Sequence, residues 1–404
     1  MDTADVVVVG GGPAGAAAGI ALARQGRDVV LVDKATFPRD KICGDGLTAG
    51  ALRHLEGLGL DPSAVSSWMP VDDVVVRSPS GYEATFPLPR GDGAYAVVAR
   101  RAELDAALLD VARSAGVKVH DGHGCTAATE LDDRVVLEVE GIGAIAARYA
   151  VAADGMWSPM RKHLGLALPG YRGEWHAFRQ YFTGVGPRAS RELFVWFEPD
   201  LLPGYAWSFP LPDGGANVGF GIQRDSGKVA RVQDMGPLWP QLLARPHIAE
   251  VLGPGARAES PHRAWPIPAR VDDIRLASRR TLFVGDAAAA TDPMTGEGIG
   301  QALLTGALAA EAIDAGGLDA ASVVARYERG VHDALVADHR MSVFLIGALK
   351  HRKGARTAVR VAGATAWTRR NFARWLFEDY PRSIITTPRR WERGMFTGPG
   401  AYRS

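Results

Sequence analysis

The run from Asp5 to Lys34 constrains the fold most. Asp5 to Gly10 reads DVVVVG, a β-branched stretch with no polar face, which predicts a strand buried on both sides. Gly10-x-Gly12-x-x-Gly15 follows, then AAAGIALARQG, a helix pattern, then VVLVD ending at Asp33. Strand, glycine turn, helix and second strand within about 30 residues match a dinucleotide-binding βαβ unit. Gly10 permits the tight turn, Gly12 lets backbone approach a pyrophosphate, and Gly15 lets the helix pack on the strand. Pro13 and Ala14 open the helix, whose free N–H groups hold the anion. Asp33, with Lys34 beside it, is placed to accept from ribose hydroxyls, and its charge disfavours a 2′-phosphate.

Two later segments decide between NAD and FAD. YAVAADGMWSPMRKHLG (149–165) runs a strand into Asp154-Gly155, then Ser158 and Arg161. RTLFVGDAAAATDPMTGEGIGQALL (280–304) runs a strand into Gly285-Asp286, then a loop with Pro293, Gly296 and Gly298. Ile299 and a long Ala-rich helix follow. Asp286 suits a ribityl or ribose hydroxyl. The loop N–H groups and the helix N-terminus suit a flavin pyrimidine edge and the negative charge of its reduced form. GxGxxG, DGxxSxxR and GDAxxxxDPxxGEGI in this order resemble the FAD-dependent oxidoreductases of the p-hydroxybenzoate hydroxylase type. The resemblance implies noncovalent FAD and a cofactor-contacting Arg ahead of a first-domain helix. That residue is Arg101 in VVARRAELDAALLDVA, with Arg100 directly before it.

Residues 37–50, FPRDKICGDGLTAG, add a narrower likeness. Their KxCGxG pattern resembles the geranylgeranyl reductase family. PGYAWSFPLPDGGANVGFG (203–221) is similar to that family's PGxYxWxFP stretch followed by NVGxG. The likeness implies that Lys41, Cys43 and Gly44 lie at the reacting end of the flavin, with Cys43 and Gly44 also touching the cofactor. Gly44 and Gly46 would let the chain wrap close to the ring. Free Cys is also a common small core residue, so burial alone is a second reading of Cys43. Tyr205, Trp207 and Phe209 alternate and share one strand face, a wall for an apolar substrate. Asn217 and Gly219 are expected beside them.

The expected class is α/β: a Rossmann-like FAD-binding domain, a mixed-sheet substrate domain and a C-terminal helical region. The FAD domain is expected to be discontinuous, at 1–75, 95–165 and 272–330. The substrate domain takes 76–94 and 166–271, and the helical region 331–404. Net charge is +1, which gives no argument for nucleic acid. Residues 350–393 nevertheless hold twelve Lys/Arg against three acids. The same stretch holds Trp367, Phe372, Trp375, Leu376, Phe377 and Trp391. A basic, aromatic helix suits peripheral contact with a membrane, and it equally suits a cover for the core. Two cysteines, an acidic start and no spanning stretch point to the cytoplasm, at or near the inner membrane face. No metal-ligand cluster or GxSxG elbow stands out, and no metal is expected.

The family likeness implies hydride transfer from reduced FAD to a C=C bond of a prenyl chain. The substrate would be a geranylgeranyl lipid or the side chain of an isoprenoid quinone. NADPH or another reductant would be a transient electron donor. The alternative is an FAD-dependent monooxygenase that hydroxylates an aromatic ring or epoxidises an alkene. Halogenases of this fold carry Trp-x-Trp-x-Ile-Pro, where this chain reads YAWSFP.

Overall fold

The computed structural model describes residues 2–224, 232–384, 386–391 and 396–403. Its first sheet is built on Asp2–Val9, flanked by Val29–Asp33 and Gly143–Ala152, both parallel to it. Lys118–Asp121 extends one side, and Thr281–Phe283 pairs with Gly143–Ala152 on the other, again in parallel. Val135–Val139 and Cys125–Glu130 add an antiparallel edge. Val6, Val7 and Val8 of the first strand are fully buried, as a strand inside a covered parallel sheet requires. Pro13–Arg24 packs against Ile299–Gly316. Gly306 permits this, since a Cβ there would overlap the Ala14 carbonyl oxygen.

The second sheet is mixed. Trp175–Thr183 pairs with Gly215–Gln223, which pairs with Ala206–Leu211 and then Leu193–Trp196, all antiparallel. Leu193–Trp196 lies parallel to Asp73–Arg77, which pairs with Glu83–Pro87. Asp73–Arg77 therefore straddles the boundary expected at residue 75 and belongs to this sheet. Strand alternation separates the two faces. Phe178, Phe194, Trp196 and Phe220 turn into a core closed by helices Met235–Leu243 and Pro246–Leu252. Leu193, Val195, Trp207 and Phe209 turn the other way, toward the first sheet.

A small third sheet fixes the Cys-Gly-Asp-Gly turn. Gly46–Thr48 pairs with Ala96–Val98, and the Ala99 N–H donates to the Asp45 carbonyl at 2.9 Å. Helices Ala320–Val331 and Ala337–Leu349 run on through a π-turn at His332–Val336. Arg352–Ala362 and Ala366–Leu376 follow. Helix then ends. Beyond Leu376 the described chain has one short helical turn, Pro388–Arg390, and otherwise runs as an irregular strap. The strap returns to the body where Ala401 and Ala94 exchange hydrogen bonds of 2.7 and 2.9 Å.

Candidate active site

A cavity of about 730 Å³ lies between the strand ends of the first sheet and the aromatic face of the second. One end is the glycine turn. Gly10 has φ 110°, and a Cβ there would overlap the Ala153 carbonyl oxygen. A Cβ on Gly15 would overlap the carbonyl oxygen of Gly10, so Gly15 holds helix to turn from behind the lining. Gly12 faces open space. A Cβ there would meet only the Arg39 guanidinium at 3.5 Å and that of Arg101 at 3.9 Å. Room, two cations and the N-terminus of the Pro13–Arg24 helix fit a pyrophosphate. Pro13 and Ala14 complete this wall.

Arg101 is the buried member of its pair. It grips Asp105 at 2.8 and 2.7 Å, and Arg39 reaches the same carboxylate at 3.1 Å. Arg100 turns away to Glu259 at 2.7 Å. Asp33 lines the cavity beside Lys34, its carboxylate fixed by N–H bonds from Gly11 at 2.7 Å and Ala35 at 2.8 Å. Asp154 and Gly155 also line it. The Asp154 Oδ2 accepts from the Met160 N–H at 2.8 Å, while Oδ1 is buried with no partner. An orphaned acceptor in this wall fits a hydroxyl of bound FAD. Arg161 does not line the cavity. It donates to the Ala287 and Arg275 carbonyls at 2.8 and 2.6 Å and so clamps the Gly285-Asp286 turn. Burial lowers its pKa to about 10.

Gly285 and Asp286 border the cavity, as do Pro293, Gly296, Gly298 and Ile299. Asp292 shapes that loop by accepting from the Met294 and Thr295 N–H groups at 3.0 and 2.9 Å. Lys41 lies 4.0 Å from Asp286 and stacks on Trp265 at 4.2 Å. Burial pulls its pKa down, against the attraction of Asp286.

The Cys-Gly-Asp-Gly turn faces the aromatic wall. A Cβ on Gly44 or Gly46 would come within 3.3 or 3.1 Å of the Phe209 ring, so both glycines make room for that ring. The backbone strain falls instead on Asp45, at φ 65°. Cys43 lines the cavity, with the Arg101 guanidinium and the Asp45 N–H facing its sulfur. Burial raises its thiol pKa, so the sulfur keeps its proton.

Tyr205, Trp207 and Phe209 form the expected wall, with successive ring centroids 6.1 Å apart. Asn217 and Gly219 do not line the cavity; they stand behind it. Asn217 Oδ1 accepts from Trp207 Nε1 at 3.2 Å, and its Nδ2 donates to the Cys43 carbonyl at 2.9 Å and to Asp45 at 2.8 Å. Gly219 has no side chain because the Trp207 indole lies over it. The wall and the turn are thus positioned by one buried amide.

Several lining residues carried no motif. Arg39 and Trp265 are examples, and only the basic PRDK context hinted at the first. The tail divides in two. Phe372, Trp375, Leu376 and Phe377 line the cavity, while Trp367 and Trp391 stay 66% and 58% exposed. Glu297, between two expected glycines, also lines it. Burial and then the charge of Glu378 raise the Glu297 pKa; burial likewise raises that of Glu378. Arg382 binds Glu378 at 2.9 Å and Asp292 at 3.2 Å.

The family model described as an FAD binding domain matches residues 3–199. The chain is 34% identical over 345 residues to a menaquinone reductase of Mycolicibacterium smegmatis, covering 78% of this chain and 77% of the relative. It is 32% identical over 324 residues to digeranylgeranylglycerophospholipid reductase 1 of Methanopyrus kandleri, covering 76% and 79%. Its fold is similar to a geranylgeranyl bacteriochlorophyll reductase-like protein from Thermoplasma acidophilum, at TM-score 0.79 and 20% identity, over 97% of this chain and all of that one. The glycine cradle, the three flavin motifs and this extent of identity place the chain in the geranylgeranyl reductase family of FAD-dependent oxidoreductases.

Proposed function

We propose that this chain reduces C=C bonds in the prenyl chain of an isoprenoid quinone or a geranylgeranyl lipid. One observation carries the reading. One cavity is lined both by the FAD cradle and by an apolar path of Tyr205, Trp207, Phe209, Phe372 and Leu376. A long apolar chain fits that path, and the relatives are named for such substrates. FAD supplies the hydride when bound and reduced, and NADPH or another reductant recharges it transiently.

The chain's own residues do the rest. Arg39, Arg101 and the helix N-terminus hold the cofactor phosphates; Asp33, Asp154 and Asp286 hold its hydroxyls. Lys41 and the Gly296–Ile299 backbone offset negative charge at the ring. Cys43 and Gly44 face the reacting bond, and the aromatic wall holds the alkene. An isolated alkene has no carbonyl to share developing charge, so positioning and exclusion of water must lower the barrier. We also assign the tail helices to a membrane surface beside the cavity mouth. On this reading the FAD domain gathers 1–75, 95–165 and 272–330, except that the strand at Asp73–Arg77 goes with the substrate sheet.

The test is a mass comparison. The FAD-loaded enzyme is given a reductant and prenylated quinone or geranylgeranyl lipid, once without oxygen and once in air. Product heavier by two hydrogens, formed anaerobically, is expected. Product heavier by one oxygen, formed only in air, overturns the reading in favour of a monooxygenase.

A further inference from the structure

The loop assigned to the flavin edge, Pro293 to Ile299, is fastened by residues far along the chain. The loop closes on Asp292. Its Oδ1 accepts from the Met294 N–H at 3.0 Å, and from the Thr295 N–H and hydroxyl at 2.9 Å each. Its own N–H donates to the Glu297 carbonyl at 2.8 Å, and its carbonyl accepts from the Gly296 N–H at 3.0 Å. The other carboxylate oxygen is held from the C-terminal segment. The Ser342 hydroxyl, on helix Ala337–Leu349, donates to Oδ2 at 2.6 Å. Arg382 Nε, on the strap, stands 3.2 Å from the same oxygen. Arg382 Nη2 also donates to the Thr295 hydroxyl and to Glu378, each at 2.9 Å. Asp292, Ser342 and Arg382 are all buried, and neither Ser342 nor Arg382 lines the cavity.

Two consequences follow from these contacts. A carboxylate held at both oxygens has one orientation, and it passes that orientation to the backbone N–H groups bonded to it. The second consequence is charge. Burial would raise the Asp292 pKa, but the Arg382 charge and the Ser342 and Thr295 bonds outweigh it, so the carboxylate stays ionised. A buried anion behind the flavin edge opposes further negative charge there, and the Arg382 guanidinium offsets it.

We propose that Ser342 and Arg382 are positioning residues for the cofactor: by holding Asp292 they aim the Pro293 to Ile299 backbone at the flavin edge, and the Arg382 charge offsets the Asp292 carboxylate there. The C-terminal segment thereby sets both FAD affinity and flavin potential. This rests on the placement of that loop proposed above, and it holds for any substrate.

The experiment needs no prenyl substrate. Wild type, Ser342→Ala, Arg382→Gln, Arg382→Lys and the loop variant Gly296→Ala are prepared as FAD holoenzymes at pH 8. FAD dissociation is read by flavin fluorescence on dilution, and the midpoint potential by anaerobic dithionite titration against a redox dye. Ser342→Ala should weaken FAD about three- to tenfold, the worth of one hydrogen bond passed on to the cofactor. Arg382→Gln should weaken FAD as well and make the two-electron midpoint more negative by about 30 mV, a tenfold change in the reduced-to-oxidised ratio. Arg382→Lys should restore most of the potential and little of the affinity, because an ammonium keeps the charge and lacks the fork that joins Asp292, Thr295 and Glu378. A purely structural tie would lower Tm and move neither readout. Gly296 has φ 72°, so an alanine there strains the loop itself. FAD affinity and potential that move in Gly296→Ala but stay at wild-type values in Ser342→Ala and Arg382→Gln overturn the positioning role alone. Values unmoved in Gly296→Ala as well overturn the placement of the loop and the proposal with it. Ser342→Ala decides by itself where Arg382→Gln does not fold, since it removes one hydroxyl and no charge.

Discussion

A methyl group at Gly219 would collide with the Trp207 indole and the Phe178 carbonyl. Trp207 is also tied through Asn217 to the Cys43 turn, so the strain would spread to the reacting end. Gly219→Ala should cost about 1–3 kcal/mol by overpacking. Thermal melting of the holoenzyme checks this; an unchanged Tm would mean that the wall yields freely. Cys43→Ser should keep FAD absorbance and lose most turnover, because a serine hydroxyl is a far weaker acid than a thiol. Undiminished turnover would remove Cys43 from the reaction. At this scale the sequence was legible wherever backbone space imposes the residue: Gly10, Gly12 and Gly15 could be read directly. Asn217 was legible as a position and not as a role, because its partners lie 10, 172 and 174 residues away. Asp45 carried no expectation, since nothing local shows which residue of a turn takes the left-handed conformation.

The strap after Leu376 is the element whose attachment depends most on charge. Glu297 from the loop before the long helix, Glu378 from the strap and Asp292 share one buried Arg382. One arginine cannot balance three carboxylates, so a proton must stay on the pair. Both glutamates have folded pKa values above their ordinary 4.5, with Glu297 pushed up to about 8. The folded chain then holds more protons than the unfolded one. The pair's contribution is fully present below pH 4.5 and is lost as pH rises toward about 8. The loss runs at most about 1.4 kcal/mol per pH unit for each proton. Glu297→Gln should flatten that decline, and Tm measured from pH 5 to 8 checks it; a slope equal to wild type would overturn the account. The strap itself was not legible as an element. Its basic and aromatic composition reads as helix, but the chain beyond Leu376 is held by side-chain ties such as Tyr95 to the Gly398 carbonyl at 2.7 Å. Long-range ties of this kind leave no periodicity in sequence.

Across the whole molecule, the cavity and the basic tail open on one side. Ala348 and Ala358 are exposed and also line the cavity, so it opens between two tail helices. Around them Val343, Phe344, Val361 and Trp367 are 51%, 74%, 62% and 66% exposed. Lys350, Arg352, Lys353, Arg356, Arg360 and Arg370 are exposed along the same stretch. No described helix is long and apolar enough to cross a membrane. Protruding aromatics within a cationic field suit an anionic bilayer, each basic side chain near the surface contributing about 1 kcal/mol at low salt. A prenyl lipid could then pass from bilayer to cavity without crossing water. The holoenzyme should float with anionic vesicles at low salt and be released as salt screens the charges. Replacing Lys350, Lys353, Arg356 and Arg360 by Glu should abolish flotation while leaving turnover of detergent-dispersed substrate in place. Phe344→Ser with Trp367→Ser should weaken flotation at every salt concentration, because apolar insertion is not screened. Wild type that stays unbound to anionic vesicles at low salt would detach the tail from any membrane role and leave it as a cover for the cavity.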